Sequence, residues 1–454
     1  MNNSPARSKW TSFTSYTLVT IGSVVGLSNF FQFPFFVTQY GGLFFFFFVT
    51  CLFLISLPML FAELLIGRRG AQDPIGSIGL LSLESDVNFK WRKLGWLSFI
   101  VVFLTLSYYI VAAAFPLGYF LESLNNFIAH HGLSETKLFS EINILDSFLE
   151  LEVCFLIFLI LAMAVIFRGI NKGLETISSI TVPAYFVILL MLVGYVATYG
   201  NFTESFINLI SINTSAPVQE VFLSALALAL LNYNVGMGIM IVYGSYLPYH
   251  VPLNKTTFII VIVDILISLM AYFIIYPLLL VSNPDGLTTS LSNFNIIEVF
   301  YAVPNGLFIA CFFFFAAVLA GWTPIIAMLE TAVVTLIERL RITRLLACLL
   351  AGAGVFILGS IEVGFYVKSI NLFEIDNYEV HNFVKFLTMD VLAPISALMM
   401  AFFVGWVINK DISKQELNFK PMLYNFWIFL VRFVVPLGVL IVFITVTLME
   451  KMPF

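Results

Sequence analysis

A run of glycine, amide and hydroxyl residues interrupts the first long apolar stretch of the chain. It reads GSVVGLSNFFQFP from Gly22 to Pro34 and includes Ser28, Asn29 and Gln32. A membrane helix pairs its own backbone groups, so a break in it frees carbonyls that suit Na⁺ and N–H groups that suit a carboxylate. The run therefore predicts a binding site, and the alternative is a helix kinked at glycine for close packing.

A second run of this kind lies in the middle of the chain. It reads LNYNVGMGIMIVYGSY from Leu231 to Tyr246, and Gly236 and Gly238 stand close to Asn232 and Asn234. Five apolar segments lie from the first break up to the second, so the segments that follow each break cross the membrane in opposite directions. Paired glycine-interrupted segments in two such halves are typical of inverted-repeat transporters.

Other kinds of chemistry find little support in the sequence. The four cysteines lie singly within apolar segments, which favours buried packing, and the four histidines lie in polar loops. The motifs HExxH and GxSxG are absent, and no nucleophile–base set or metal cluster is evident. We therefore expect a protein that is not an enzyme.

The composition indicates a protein that crosses the membrane many times. Of 454 residues, 61% are hydrophobic and 10% are charged, and the mean hydropathy is +1.02. The net charge of −5 shows no basic footprint for nucleic acid. At about 20 residues per crossing, we predict eleven spans: 12–38, 43–66, 95–122, 150–168, 176–198, 219–246, 256–281, 302–337, 341–361, 382–408 and 422–448.

Basic residues predict the orientation. With a cytoplasmic N-terminus, 16 of the 21 Lys and Arg residues fall in inner segments and four in outer segments, with Arg432 inside the last span. We therefore expect a multi-pass protein of the plasma membrane (the inner membrane in bacteria), with its N-terminus inside and its C-terminus outside.

The sequence resembles the neurotransmitter:sodium symporter family, especially its bacterial amino-acid transporters with the leucine-transporter fold. The resemblance rests on GSVVGLSNFFQFP at 22–34, AELLIGRRG at 62–70, YY at 108–109 and RGINKGLE at 168–175, then GMGIMIVYGSYL at 236–247, VDILISLMA at 263–271 and LAGWTPIIAMLE at 319–330. It implies an all-α integral membrane protein of 11 transmembrane helices: a 5+5 inverted repeat with unwound helices 1 and 6, plus one C-terminal helix. The corresponding division is a cytoplasmic tail (1–11), a first repeat (12–198), a second repeat (219–408) and a last helix (422–448).

The resemblance also implies one or two Na⁺ ions and no organic cofactor. The sodium site near the substrate would use the Val24 carbonyl and the side chains of Asn29, Asn232 and Asp264. An ionised Asp264 in mid-membrane costs about 3 kcal/mol, and a neutral or structurally paired acid is the alternative. An acid here could replace the anion of chloride-dependent relatives, so we expect chloride independence.

A second sodium site would use carbonyls of Gly22, Val25 and Ala320 and the Thr323 hydroxyl. Here the sequence departs from the family, because the next residue is Pro324 instead of a second hydroxyl residue. We expect this site to be weak, completed by water or absent.

The resemblance places the substrate between the two breaks. Backbone N–H groups near Leu27 and Ser28 and the Tyr109 hydroxyl would hold a carboxylate, and the Val24 and Leu231 carbonyls would hold an amino group. The pocket for the side chain would be Ser28, Thr105, Leu231, Asn234, Met237, Pro324 and Met328, with Asn232 beside it; core packing is the alternative role for the two methionines. Amine transporters carry Asp where this chain has Gly26, so we expect a neutral, hydrophobic amino acid.

Two gates and a supporting residue complete the prediction. Arg7, Trp10, Tyr246 and Glu338 match the inner gate, although Arg7 also fits simple positive-inside anchoring. The outer gate falls on Gln32 and on Lys385 or Asn382, where relatives have an Arg–Asp pair. Glu63 is expected to accept hydrogen bonds from the freed backbone.

We therefore expect a sodium-coupled symporter that works by alternating access. The alternative within this fold is a sodium-independent exchanger or a substrate-binding sensor with a degraded second sodium site. The expected partners are a small-molecule amino-acid substrate and membrane lipid, but no nucleic acid, and the protein is expected to be a monomer or a weak homodimer.

Overall fold

The computed structural model describes residues 9–130, 148–199, 202–212, 216–249, 251–282, 300, 306–367 and 384–449. Within these ranges the chain is helical and contains no β-strand. Nine continuous helices there are long and apolar enough to cross a bilayer: Gly42–Gly70, Phe89–Asn125, Phe148–Phe167, Ile170–Thr198, Leu253–Val281, Gly306–Leu340, Arg344–Tyr366, Phe386–Val407 and Pro421–Thr445. These helices are spans 2 to 5 and 7 to 11.

Span 1 is broken where the glycine run predicts. It consists of a helix Phe13–Val24, which the Ser12 side chain caps at its N-terminus, and a second stretch Ser28–Tyr40 bent from it by 61°. Val25 is extended, and the first turns after the break, Ser28–Gln32, are π-helical. The break therefore lies inside the protein, where side chains from other spans can reach the freed backbone groups.

Span 6 is broken as well, and more widely. A 15-residue helix, Val218–Asn232, and a seven-residue helix, Ile239–Ser245, are separated by residues 233–238. Asn234, Gly236 and Gly238 in this segment have positive φ angles of 49°, 85° and 75°. A Cβ at Gly236 would lie 2.6 Å from the Ala397 backbone nitrogen, so span 10 approaches this backbone too closely for a side chain. With the two broken spans, the structure has the eleven spans and the fold class that we predicted.

The spans pack around the eighth, Gly306–Leu340, which lies against spans 3 and 5 and is buried along most of its length. Shorter helices Pro74–Glu84, Phe202–Ile210 and Lys410–Leu417 lie in the connections. Pro74 follows the capping residue Asp73, as is typical of a helix start.

Several predicted boundaries differ from those of the structure. The helix of span 3 runs from Lys93 to His130, eight residues beyond the predicted end at 122, because no glycine or proline interrupts the sequence there before Gly132. Helix Phe202–Ile210 lies in the connection between spans 5 and 6, for which the sequence analysis predicted no span. Arg7 and Asn382, two predicted gate residues, lie outside the described residues.

Candidate ion and substrate site

The two breaks meet a buried carboxylate in the middle of the protein. Asn29, just after the first break, donates from Nδ2 to Asp264 Oδ1 at 2.6 Å and to Ser268 Oγ at 2.7 Å. The Asn29 Oδ1 atom accepts from the Gly26 N–H at 2.9 Å. Asn29, Asp264 and Ser268 are all fully buried. This contact joins the break in span 1 to span 7, as the sodium-site prediction requires.

Three polar atoms at this carboxylate interact with one another but form no hydrogen bond of normal geometry among the described residues. They are Asp264 Oδ2, Asn232 Nδ2 and the Tyr233 hydroxyl, and each is buried. A carboxylate oxygen that lacks such a bond in an apolar interior is costly unless a cation or a donor compensates it. The arrangement fits a small cation bound at Asp264 Oδ2, at the end of the bond that joins span 7 to the break in span 1.

The two broken segments are also bonded directly to each other. Ser28 Oγ donates to Asn232 Oδ1 at 2.6 Å, and Asn234 Nδ2 donates to the Ser23 carbonyl at 3.2 Å. Asn232 therefore holds its oxygen toward span 1, on the side where an ion ligand was predicted. The polar residues at the two breaks therefore lie together, between apolar helices.

Leu27 and Tyr109, which the sequence analysis assigned to a substrate carboxylate, meet beside these residues, and we call this the carboxylate-binding corner. The Leu27 N–H at the start of the outer part of span 1 donates to the Tyr109 hydroxyl at 3.2 Å, which leaves the hydroxyl proton free for an incoming anion. A Cβ at Gly26 would lie 2.7 Å from that hydroxyl oxygen and 3.5 Å from Pro324 Cγ. Glycine at position 26 is therefore required for Tyr109 to occupy this position.

The predicted pocket residues do not all line one cavity. Thr105, Met237 and Met328 are buried, and the Thr105 hydroxyl has no partner among the described residues. Leu231 and Met237 line a cavity of about 50 Å³ between spans 6, 10 and 11, which also contains Asp390. This cavity does not include Ser28, Thr105, Asn234, Pro324 or Met328, so it represents one side of the predicted pocket only.

At the second sodium site the structure brings spans 1 and 8 together. A Cβ at Gly22 would lie 3.2 Å from Thr323 Cβ and 3.4 Å from its methyl carbon. The Thr323 hydroxyl instead donates back to the Leu319 and Ala320 carbonyls, with long distances of 3.4 Å. Pro324 lacks an N–H, so it leaves the Ala320 carbonyl without its usual helical donor. Val25 is extended beside this position.

Glu63 of span 2 supports the second break. Its Oε1 accepts the Gly236 N–H at 2.6 Å, and the side chain is 1% exposed. The Gly236 carbonyl accepts from Ser396 Oγ at 2.6 Å. Both polar groups of this unwound peptide are thus paired by side chains from neighbouring spans, which is the position that we predicted for Glu63.

On the predicted inner side, Trp10 packs against the end of span 6. Trp10 Nε1 donates to the Tyr243 carbonyl at 3.0 Å, and its ring lies edge-on against the rings of Tyr243 and Tyr246. Tyr246 donates from its hydroxyl to Glu330 Oε1 at 2.9 Å, whereas Glu338 accepts from the Asp73 N–H at 2.8 Å. Trp10 and Tyr246 are therefore together as predicted, but Glu338 lies at the start of helix Pro74–Glu84.

Five charged residues at this end of the protein form contacts that the sequence analysis did not predict. Glu330 forms an ion pair with Arg344, and Asp73 forms one with Arg339. Glu175, in the first turns of span 5, accepts from the Thr11 N–H at 2.7 Å and from its hydroxyl at 2.6 Å. Asp73 and Arg339 are 266 residues apart and Thr11 and Glu175 are 164 apart, whereas Glu330 and Arg344, 14 apart, lie on different helices. Spacing in the sequence therefore gave no signal for these pairs.

On the outer side, Gln32 and Lys385 are both half-buried. The sequence reasoning missed Asp390, an acid of span 10 that lies in electrostatic contact with Lys385 and borders the cavity. The intervening turns, Phe386–Leu392, are π-helical, which brings side chains five residues apart onto one face. An acid within an apolar span was the available signal for this residue.

Comparisons with known proteins agree with this geometry. A model of the sodium:neurotransmitter symporter family matches residues 7–137. An uncharacterized sodium-dependent transporter of Bacillus subtilis, YhdH, is 27% identical over 96% of this chain and 97% of its own length. A similar protein of Haemophilus influenzae is 27% identical over 98% and 99%.

The fold is also found among solved structures. The structure of MhsT in complex with L-phenylalanine is similar with a TM-score of 0.82 and 24% identity, over 97% of this chain and all of that one. This similarity confirms the predicted fold, and the full-length relatives are transporters, as predicted, instead of enzymes. Residues 7–137 thus match the sodium:neurotransmitter symporter family, and the chain is similar over nearly its full length to sodium-dependent transporters, with many helices that could cross a membrane.

Proposed function

We propose that the protein is a sodium-coupled symporter of a neutral, hydrophobic L-amino acid that works by alternating access. The observation that carries the proposal is the buried Asp264 carboxylate, held by Asn29 at the break in span 1, whose second oxygen forms no hydrogen bond of normal geometry among the described residues. A cation that neutralises this carboxylate ties the positions of spans 1 and 7 together. Because the same break borders the carboxylate-binding corner, ion and substrate binding are coupled through one segment.

The negative charge of Asp264 also supports chloride independence. With one Na⁺ at Asp264, the ion and the carboxylate already balance, so no anion is needed to offset the cation. The Na⁺ ligands would be Asp264, the Asn29 and Asn232 oxygens and the Val24 carbonyl. In the present geometry the two amide oxygens already accept bonds from the Gly26 N–H and Ser28, and each oxygen has a second lone pair for the ion.

The substrate class rests on Gly26 and Tyr109. The chain provides no acid at position 26, where one would clash with Tyr109, so the ligand must bring its own carboxylate. Asp390 near the pocket faces Lys385, which opposes its charge and leaves no free anion for a basic side chain. The phenylalanine complex of the similar MhsT structure supports a hydrophobic amino acid.

A second candidate keeps the fold but lacks sodium coupling: an exchanger or a substrate-binding sensor. It is favoured by the second sodium site, where Pro324 offers no hydroxyl and the Thr323 hydroxyl turns back to its own helix. An exchanger moves labelled substrate only when unlabelled substrate is present on the other side, and a sensor does not move it at all.

The test is thermal stabilisation of the purified protein by each amino acid, in Na⁺ or in choline. A ligand at 100 times its Kd adds about 2.7 kcal/mol of stability, so a hydrophobic amino acid should raise the Tm clearly in Na⁺ and little in choline. Asp264→Asn should lose the difference between Na⁺ and choline. Asp411→Asn, on the exposed helix Lys410–Leu417, is the matched control and should keep it. Equal stabilisation in both salts would contradict sodium coupling.

A further inference from the structure

We propose that the protein binds an anionic phospholipid of the cytoplasmic leaflet through Arg432, on the surface of spans 10 and 11 that faces the lipid. Arg432 lies in the apolar helix Pro421–Thr445, within π-helical turns at Leu430–Val434. It bonds to Gly405 in the last turn of span 10 and therefore lies near the cytoplasmic end of both spans in the predicted orientation. An arginine within an apolar span is costly unless its charge is compensated.

The protein satisfies only part of the hydrogen-bonding capacity of the Arg432 side chain. Arg432 Nε donates to the Gly405 carbonyl at 2.5 Å, in the last turn of span 10 before the chain becomes extended at Ile408. That bond satisfies one of the carbonyls that a helix end leaves without a partner. A Cβ at Gly405 would lie 3.0 Å from Arg432 Cγ, so the glycine makes room for the arginine stem.

The hydrogen bond to the Gly405 carbonyl uses one of the five N–H donors of the Arg432 guanidinium group. Among the described residues Arg432 forms no ion pair, and its other contact is the Trp406 ring, 5.0 Å from the guanidinium carbon. Four donors and the full positive charge are therefore available to a group outside the protein. A phosphate is the anion that an arginine fork binds best in a membrane setting.

Exposed aromatic rings surround the guanidinium group. We call Arg432 and the rings of Phe402, Trp406 and Phe433 the Arg432 patch. Trp406 is 50% exposed and contacts Phe402 and Phe433, which are also exposed. Phe402 stacks on Trp91 of the turn Phe89–Arg92. Tryptophan near a membrane interface is typical of contact with lipid headgroups.

The surrounding charges indicate which leaflet supplies the lipid. Lys90, Arg92 and Lys93 flank Trp91 and are exposed at the rim of the patch. A helical side chain leans toward the N-terminus of its helix, and for span 11 this is the cytoplasmic end in the predicted orientation. Basic pockets between helices on that side select anionic headgroups.

The experiment uses the full-length protein in nanodiscs of phosphatidylcholine that contain a fraction of brominated lipid. The fluorescence of Trp406 is taken as the difference between the unsubstituted protein and Trp406→Phe. Brominated phosphatidylglycerol should quench it at about a fivefold lower mole fraction than brominated phosphatidylcholine, since one basic residue contributes about a factor of five. Equal quenching by both lipids would overturn the proposal, and this comparison needs no arginine variant to fold.

Three variants test the role of the charge. Arg432→Gln keeps a donor for Gly405 but should lose the preference for the anionic lipid, and Arg432→Lys should keep most of it. Arg341→Gln, an exposed arginine in the turn between spans 8 and 9, should leave the preference unchanged. If neither lipid quenches Trp406, a second copy of the protein covers the patch and the lipid proposal is wrong.

Discussion

Asp264 and Asn29 explain why a polar run is retained in a helix that crosses the membrane. The Asn29 amide satisfies one oxygen of a buried carboxylate, and its own oxygen satisfies the Gly26 N–H freed by the break. Each polar group is costly alone and is stabilised by the next. The remaining oxygen of Asp264 is where we propose that a cation binds.

Gly26 sets the shape of the carboxylate-binding corner. Gly26→Ala places a methyl group 2.7 Å from the Tyr109 hydroxyl and should displace it. We expect the Kd for the amino-acid substrate to rise about tenfold or more, from loss of a hydrogen bond to a charged group, as measured by equilibrium binding in Na⁺. Gly194→Ala is the control, because a Cβ there meets no atom within 4 Å. Unchanged affinity in Gly26→Ala would argue against Tyr109 as a substrate ligand.

The sequence revealed the residues at the breaks but not their distant partners. Asn29, Asn232 and Asp264 were recognisable because polar side chains within apolar segments stand out. In the sequence, Glu330 and Arg344 resemble ordinary charged residues near helix ends. Only the fold shows that they pair with each other and that Glu330 accepts a hydrogen bond from Tyr246, which joins spans 6, 8 and 9. The orientation of the Thr323 hydroxyl depends on a rotamer, which no sequence pattern reports.

At the level of elements, the unwound segment of span 6 depends on groups from spans 2 and 10. The Gly236 N–H and carbonyl are bonded to Glu63 and Ser396, respectively. The segment is therefore held in a defined conformation instead of being loosely coiled. Span 2 contacts the inner half of span 6 closely along its length.

Glu63→Leu should destabilise this segment, because it leaves the buried Gly236 N–H unpaired at a cost of about 1–3 kcal/mol. We expect a lower Tm and weaker amino-acid binding in the thermal unfolding assay. Glu63→Gln keeps an acceptor oxygen at the same place and should retain most of the stability. Equal losses in both variants would show that the carboxylate charge matters instead of the hydrogen bond.

The inner end of span 6 is held by Trp10. Trp10→Ala removes the ring between Tyr243 and Tyr246 and the bond to the Tyr243 carbonyl. Backbone amides of 239–247 should then exchange hydrogen faster, because this closing contact is lost. Trp10→Phe keeps much of the packing and should give an intermediate rate. Protection as strong in Trp10→Ala as in the original protein would mean that other contacts close this end.

For the whole molecule, the predicted eleven spans, an odd number, predict that the two termini lie on opposite sides of the membrane. The excess of Lys and Arg in inner segments predicts a cytoplasmic N-terminus. A green fluorescent protein fused at the C-terminus should therefore stay dark in a bacterial host, whereas alkaline phosphatase fused there should be active. The opposite pair of results would reverse the orientation, and with it the leaflet assigned to the Arg432 patch.

The central claim is that a sodium gradient drives accumulation of a neutral amino acid, and uptake into proteoliposomes tests it most directly. Labelled hydrophobic amino acid should accumulate above its external concentration when Na⁺ is outside and choline is inside. The accumulation should persist when chloride is replaced by gluconate, and it should collapse when Na⁺ is equal on both sides. Accumulation that ignores the Na⁺ gradient, or label that enters only in exchange for internal amino acid, would contradict the account.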